Sequence, residues 1–226
     1  MSEPISPTVG RGVLHLFCKP TALIDGEGVV AAVKTAEAAG VQVVSVSVLG
    51  HKCDVAFMAM HDDWRELRKL QTDLQRAGLD VVDSYVSLTE VSDYAAGMPK
   101  EMLDARLYPS IPPTAHHMPA WCFYPMSKKR AADANWFTLP FDERKELMHE
   151  HGVSGRKFAG RIVQYVTAST GLDDYEWGVT LFGVHPDDLK DCVYTMRFDH
   201  ASAVYADFGP FYTGMVVPIE DLAAQF

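Results

Sequence analysis

The sequence predicts an α+β fold built from two tandem β-α-β-β-α-β units. Three observations carry that prediction. Apolar residues recur with strand spacing and helix spacing in the same order twice along the chain. Turn residues mark the switches between the two spacings. A proline-dense segment, Ser92 to Ala120 with Pro99, Pro109, Pro112, Pro113 and Pro119, separates the two runs.

In the first run, Gly12 to Lys19 (GVLHLFCK) has strand character. Gly26 to Gly40 spaces Val29, Val30, Val33 and Ala36 as a helix and stops at glycine. Val41 to Val48 is β-branched and alternating, and Gly50-His51-Lys52 turns it into a second strand, Asp54 to Met60. Asp62 to Gly78 opens on Asp62-Asp63 and carries Trp64, Leu67, Leu70 and Leu74, the pattern of a capped amphipathic helix. Val81 to Val91 completes the unit as a strand. In the second run, Trp121 to Met126, Arg161 to Ser169, Trp177 to Val184 and Tyr212 to Val217 are strands. Phe141 to His151 and Pro186 to Phe198 are helices, the latter with a Pro-Asp-Asp start. The order is that of two ferredoxin-like halves, whose sheets can join into a barrel with helices outside, a dimeric α+β barrel within one subunit. The chain divides into a flexible start over 1–10, a first unit over 11–92, a connecting loop over 93–120 and a second unit over 121–226. Prolines disfavour regular structure in the connection, and a long loop of that kind is often functional.

Composition narrows the function. With 226 residues, 48% apolar and 22% charged, the chain can bury a core and is not disordered. No apolar run reaches the roughly 20 residues that span a bilayer, and Met1 to Gly10 lacks a basic start with an apolar stretch, so a cytoplasmic protein without membrane insertion is expected. The net charge of −10, with no long basic tract, argues against nucleic-acid binding. Cys18, Cys53, Cys122 and Cys192 form no CxxC pair, and reduced thiols are the simplest expectation. Phosphate-loop, dinucleotide and GxSxG motifs do not occur, and the nine histidines show no HExxH or HxH spacing.

Two segments stand out. Tyr124-Pro125-Met126-Ser127-Lys128-Lys129-Arg130 ends a strand on a phenol and runs at once into three cations. It reads either as a solvated basic turn or as an anion site beside a phenol. A second basic cluster, Arg156, Lys157 and Arg161, suits a polyanionic small molecule on an otherwise acidic chain. The helix ending near His151 places Phe141, Met148 and His151 on one face. His149 lies about 200° round the helix, so only one of the two histidines faces inward. An inward imidazole is either a satisfied core residue or an axial ligand to a metal or haem iron.

These segments resemble a known family. YPMSKKR at Tyr124 to Arg130, NWFTLP at Asn135 to Pro140, HGVSGRKFAG at His151 to Gly160 and DDYEWGVTLF at Asp173 to Phe182 are similar to the chlorite-dismutase-like haem proteins, most closely the coproheme decarboxylase branch. ARLYPSIPP at Ala105 to Pro113 and MRFDHASAVYADFGPFYTG at Met196 to Gly214 agree. The resemblance is strong from Tyr94 onward; earlier it lies in element order.

The resemblance implies paired ferredoxin-like units assembled as a homopentamer, with an iron porphyrin in the C-terminal half. It implies hydrogen-peroxide-dependent decarboxylation of two propionates of Fe-coproporphyrin III (coproheme), which is both substrate and redox centre, giving haem b as product and completing haem biosynthesis. His151 becomes the axial iron ligand, Tyr124 the redox-active catalytic residue, and Lys128 a catalytic neighbour of the reacting propionate. Arg106, Tyr108, Tyr94, Met126 and Ser202 fall at substrate-binding positions, and Gln164 at the distal position. Chlorite-degrading members carry an arginine there, so Gln164 directs the expectation to the decarboxylases. One departure is the longer stretch Thr114 to Trp121, whose His117-Met118-Pro119-Ala120 is similar to a segment of another branch in which the histidine is a distal base. His117 is therefore a candidate distal base, with His116 equally eligible. Competing expectations are a haem b peroxidase of the same fold and a haem carrier or sensor without turnover.

Overall fold

The computed structural model describes residues 3–95, 97–113 and 117–226. The first unit consists of β1 (Gly12–Pro20), α1 (Gly26–Ala38), β2 (Gln42–Leu49), β3 (Val55–His61), α2 (Trp64–Arg76) and β4 (Leu79–Thr89). The connection holds a 3-10 turn at Asp93–Ala95 and α3 (Lys100–Leu107). The second unit runs through β5 (Ala120–Lys128), the short β6 (Arg130–Ala131) and β7 (Ala134–Asn135), and a 3-10 turn at Trp136–Thr138. It continues with α4 (Phe141–Arg156), β8 (Ile162–Ala168), β9 (Trp177–Gly183) and α5 (Pro186–Met196). It ends with α6 (His200–Ala203), β10 (Ala206–Phe208), β11 (Tyr212–Val216) and α7 (Ile219–Ala223). No helix among the described residues is long and apolar enough to cross a membrane.

Both units show the same antiparallel order. The first is β2-β3-β1-β4 and the second is β8-β9-β5-β11. They join at two seams, β4 with β8 through Leu88 and Thr89, and β11 with β2 through Thr213 to Val216. The result is a closed barrel, which leaves few free strand edges. Alternation along each strand sends one row of side chains inward and the other out. Phe17, Met58, Trp121, Phe123, Phe182 and Tyr212 fill the interior. Outside, Leu16, Phe57, Leu70, Leu74 and Leu79 join Val29 and Val33 between the first sheet and its helices. All four cysteines are buried and free.

Two differences from the sequence expectation matter. The connection is not wholly irregular: α3 fits because its prolines flank residues 100–107 rather than interrupting them, and Lys100 pairs with Asp104 at 2.5 Å, one helical turn on. The same segment then plugs the barrel, burying Ile111 and Met118 in its interior. Secondly, α4 does not stop at His151 but continues to Arg156. Interior glycine costs about 1 kcal/mol, which tertiary contacts beyond it override.

Candidate functional site

The two units differ in how the first helix meets its sheet. α1 buries Val29, Ala32, Val33 and Ala36. Its counterpart α4 (FDERKELMHEHGVSGR) has no continuous apolar stripe, buries only Ser154, and takes α6 and α5 as its main neighbours. The outer face of β8 is correspondingly bare, with Gln164 exposed and Val166 45% exposed. Strand pairing puts Gln164 in one outward row with Leu181 and Cys122, and Val166 in the next with Val179 and Tyr124. Leu181, Cys122, Val179 and Tyr124 are buried under Leu189, Phe208 and Phe211, so the exposed part of this outer face is its β8 edge, which α4 does not cover.

His151 lies on the inner side of α4, with a quarter of its side chain exposed, while His149 is exposed. Its Nδ1 lies 3.1 Å from Asp199 Oδ2 and 3.4 Å from Ser202 Oγ. Because a carboxylate only accepts, this contact assigns the proton to Nδ1 and leaves the Nε2 lone pair free. Asp199 is 4% exposed and accepts a second hydrogen bond, 2.5 Å from Ser154 Oγ to Oδ1. Ser154 stands one turn beyond His151, so the helical continuation past Gly152 supplies this support. Burial, and next the Lys128 charge, hold the His151 pKa below the ordinary histidine value, against the opposing pull of Asp199. The ring is thus neutral at pH 7. A neutral imidazole with its second nitrogen on a carboxylate has the form of an axial metal ligand.

Lys128 ends β5 and is 8% exposed. Its Nζ donates to the Ala201 carbonyl at 2.7 Å and lies 4.3 Å from the Trp136 ring centre. Burial pushes its pKa down to about 8, against the Glu176 carboxylate. The segment Asp199 to Ser202 thus serves both groups, holding His151 with one end and the Lys128 ammonium with a carbonyl. Tyr124, four residues earlier, is 7% exposed and packs between Phe211 at 4.4 Å and Phe208 at 5.7 Å. Its hydroxyl makes no hydrogen bond within the described residues, and burial raises its pKa well above the normal tyrosine value. At neutral pH it is a phenol, so oxidising it must also release a proton.

The structure brings together part of the set marked in the sequence. Lys128, His151 and Ser202 share one polar cluster, and Tyr124, Met126 and Ile162 share the outward face of the second sheet. Tyr94 stacks on Phe141 at 5.7 Å and packs against the Trp136 cluster beside α4. Arg106 is exposed at the end of α3. Tyr108 turns to the N-terminal segment, its hydroxyl accepting from the Gly10 amide at 3.2 Å. His117 is exposed, and His116 lies outside the described residues. Of the basic residues, Arg161 is engaged by Asp188 at 2.7 Å. Asp199 and Ser154 went unmarked in the sequence. An acid 48 residues beyond His151 shows no local spacing, and Ser154 gains meaning only if the helix continues.

The sequence profile of the chlorite dismutase family matches residues 22–217. This chain belongs to that family. Among chlorite dismutase family relatives, it is 42% identical over 192 residues to a coproheme decarboxylase from Staphylococcus carnosus, a match covering 80% of this chain and 75% of the relative. A relative from Natronomonas pharaonis, named as a candidate heme-binding protein, is also 42% identical, over 80% of this chain but 32% of that longer protein. Among solved structures, a heme-binding protein from Thermus thermophilus aligns with a TM-score of 0.85 and 33% identity, covering 100% of this chain and 99% of the other. A mutant chlorite dismutase from Candidatus Nitrospira defluvii aligns at 0.76 with 17% identity, over 97% and 96% of the two chains, a likeness of fold.

Proposed function

We propose that this protein is a coproheme decarboxylase. The observation that carries the reading is the 42% identity, across 80% of the chain, to the Staphylococcus carnosus enzyme. The site's own chemistry fits an iron porphyrin: a neutral imidazole backed by a carboxylate, and a buried ammonium held by the same Asp199 to Ser202 segment. Hydrogen peroxide is the oxidant in this reading, and the bound iron porphyrin supplies the oxidising equivalents drawn from it.

His151 would hold the iron through Nε2, with Asp199 fixing the ring and Ser154 fixing Asp199. Lys128 steers a propionate carboxylate by its charge. Tyr124 gives up an electron and its hydroxyl proton, then takes a hydrogen atom from the β-carbon of that propionate. Each side arm, R–CH₂CH₂–COO⁻, with one peroxide and one proton, yields R–CH=CH₂, carbon dioxide and two waters. Two such rounds convert Fe-coproporphyrin III into haem b. Gln164 would contribute a neutral amide to the site, and His117 is a candidate base for peroxide. Arg106, Tyr108, Tyr94, Met126 and Ser202 are assigned to holding the substrate, and the working form to a cytoplasmic homopentamer, on family resemblance.

Incubating the protein with iron coproporphyrin III and peroxide and measuring the porphyrin mass tests the reading. Stepwise loss of two carboxyl groups is the expected result. An unchanged mass with dye oxidation would make the protein a peroxidase, and binding without either reaction would make it a carrier.

A further inference from the structure

Arg144 has no assigned role, and its setting is unusual. It stands on α4 seven residues before His151 and four before Met148, on the helix face that carries both. Its Nε is buried and has no hydrogen-bond partner, although the chain carries an excess of acidic residues. It forms no ion pair among the described residues. Its guanidinium carbon lies 5.7 Å from the centre of the Phe141 ring, which stacks on Tyr94. Leu147 and Met148, one turn on, pack toward Trp136, the ring beneath the Lys128 ammonium. A buried guanidinium nitrogen left unpaired is costly, and the group is shaped to grip a carboxylate with two parallel bonds.

We propose that Arg144 is a substrate-binding residue that takes a side-arm carboxylate of the porphyrin, two helical turns from the iron ligand. This rests on the decarboxylase reading, in which His151 fixes the centre of the ring. The separation along α4 is about 10 Å at 1.5 Å per residue, comparable to the reach from a porphyrin's centre to its carboxylates. Lys128 serves the reacting arm from the sheet side, and Arg144 serves another arm from the helix side. The two cations together explain how an acidic protein selects a polyanionic ligand.

The test is spectrophotometric titration of the full chain with iron coproporphyrin III, comparing wild type, Arg144→Gln, Arg144→Lys and His151→Ala. Arg144→Gln is expected to weaken binding about tenfold or more, the scale of one lost charge-assisted contact. The spectrum of the bound iron is expected to stay unchanged in that variant, and Arg144→Lys to recover part of the affinity. Wild-type affinity in Arg144→Gln overturns the proposal. So does an equal loss in Gln and Lys variants accompanied by a lowered melting temperature, which marks a structural role. If His151→Ala keeps both spectrum and affinity, the placement of the ring fails, and the Arg144 assignment with it.

Discussion

Lys128 shows how burial changes the acid–base behaviour of an ordinary side chain. An exposed lysine stays charged to about pH 10. Here desolvation pushes the value down to about 8, so the ammonium titrates near the working range. The charged form lies below that value. Carboxylate binding and turnover that depend on it should therefore fall as pH rises through about 8. Lys128→Arg, which stays charged, should carry the plateau to higher pH, and pH profiles of coproporphyrin affinity measure both. The basic run after Tyr124 stands out in the sequence, either as a solvated turn or as an anion site. That one of its cations would be buried over Trp136 was not legible there, because Trp136 reaches it only through the short β6–β7 hairpin. His151 was legible from its face of α4, whereas its partner Asp199 comes from a separate segment that no local spacing reveals.

At the scale of elements, hydrophobic periodicity was enough to place the eight barrel strands and α1, α2 and α5, but α4, which lacks a continuous apolar stripe, was placed only as far as His151. Long, regular patterns such as Leu67, Leu70 and Leu74 leave little choice. α3, the short strands β6, β7 and β10, and α6 and α7 escaped notice because few residues carry each and tertiary contacts decide them. The β2–β11 seam depends on a side chain that is absent. A Cβ at Gly214 would lie 2.9 Å from both Val48 Cα and Val46 Cγ1, and it would also collide with the Ser47 carbonyl. Backbone is the obstacle, so the strands must part. Gly214→Ala should cost about 1–3 kcal/mol, the range for overpacking. Thermal unfolding should show a melting temperature lower by about 2–4 °C for each kcal/mol.

For the whole molecule, the buried histidine of the barrel interior works against stability in acid. His15 is fully buried beside Phe123 at 4.3 Å, with Nε2 2.9 Å from Thr180 Oγ1 and Nδ1 unpaired. Burial pushes its pKa down to about 3. The unfolded chain takes up that proton near pH 6.5, the folded one far lower. Stability from this residue is complete above about pH 6.5 and is lost as pH falls below it, by up to about 1.4 kcal/mol per unit. His151, also lowered, acts in the same sense. His15→Gln, which keeps a polar contact to Thr180 without titrating, should flatten the acid limb of a stability-versus-pH curve measured by urea unfolding. A slope equal to wild type would show that His15 is not the group responsible.

The two units thus share one topology but not one purpose. The first packs its helices onto its sheet, and in the second α4 takes α6 and α5 as its main neighbours, with His151 held by Asp199. Binding of iron coproporphyrin III to His151→Ala, followed by absorbance, tests that division most directly. The imidazole-ligated iron spectrum should vanish and the affinity should drop, while the melting temperature of the ligand-free protein stays near wild type. An unaltered spectrum and affinity would contradict it.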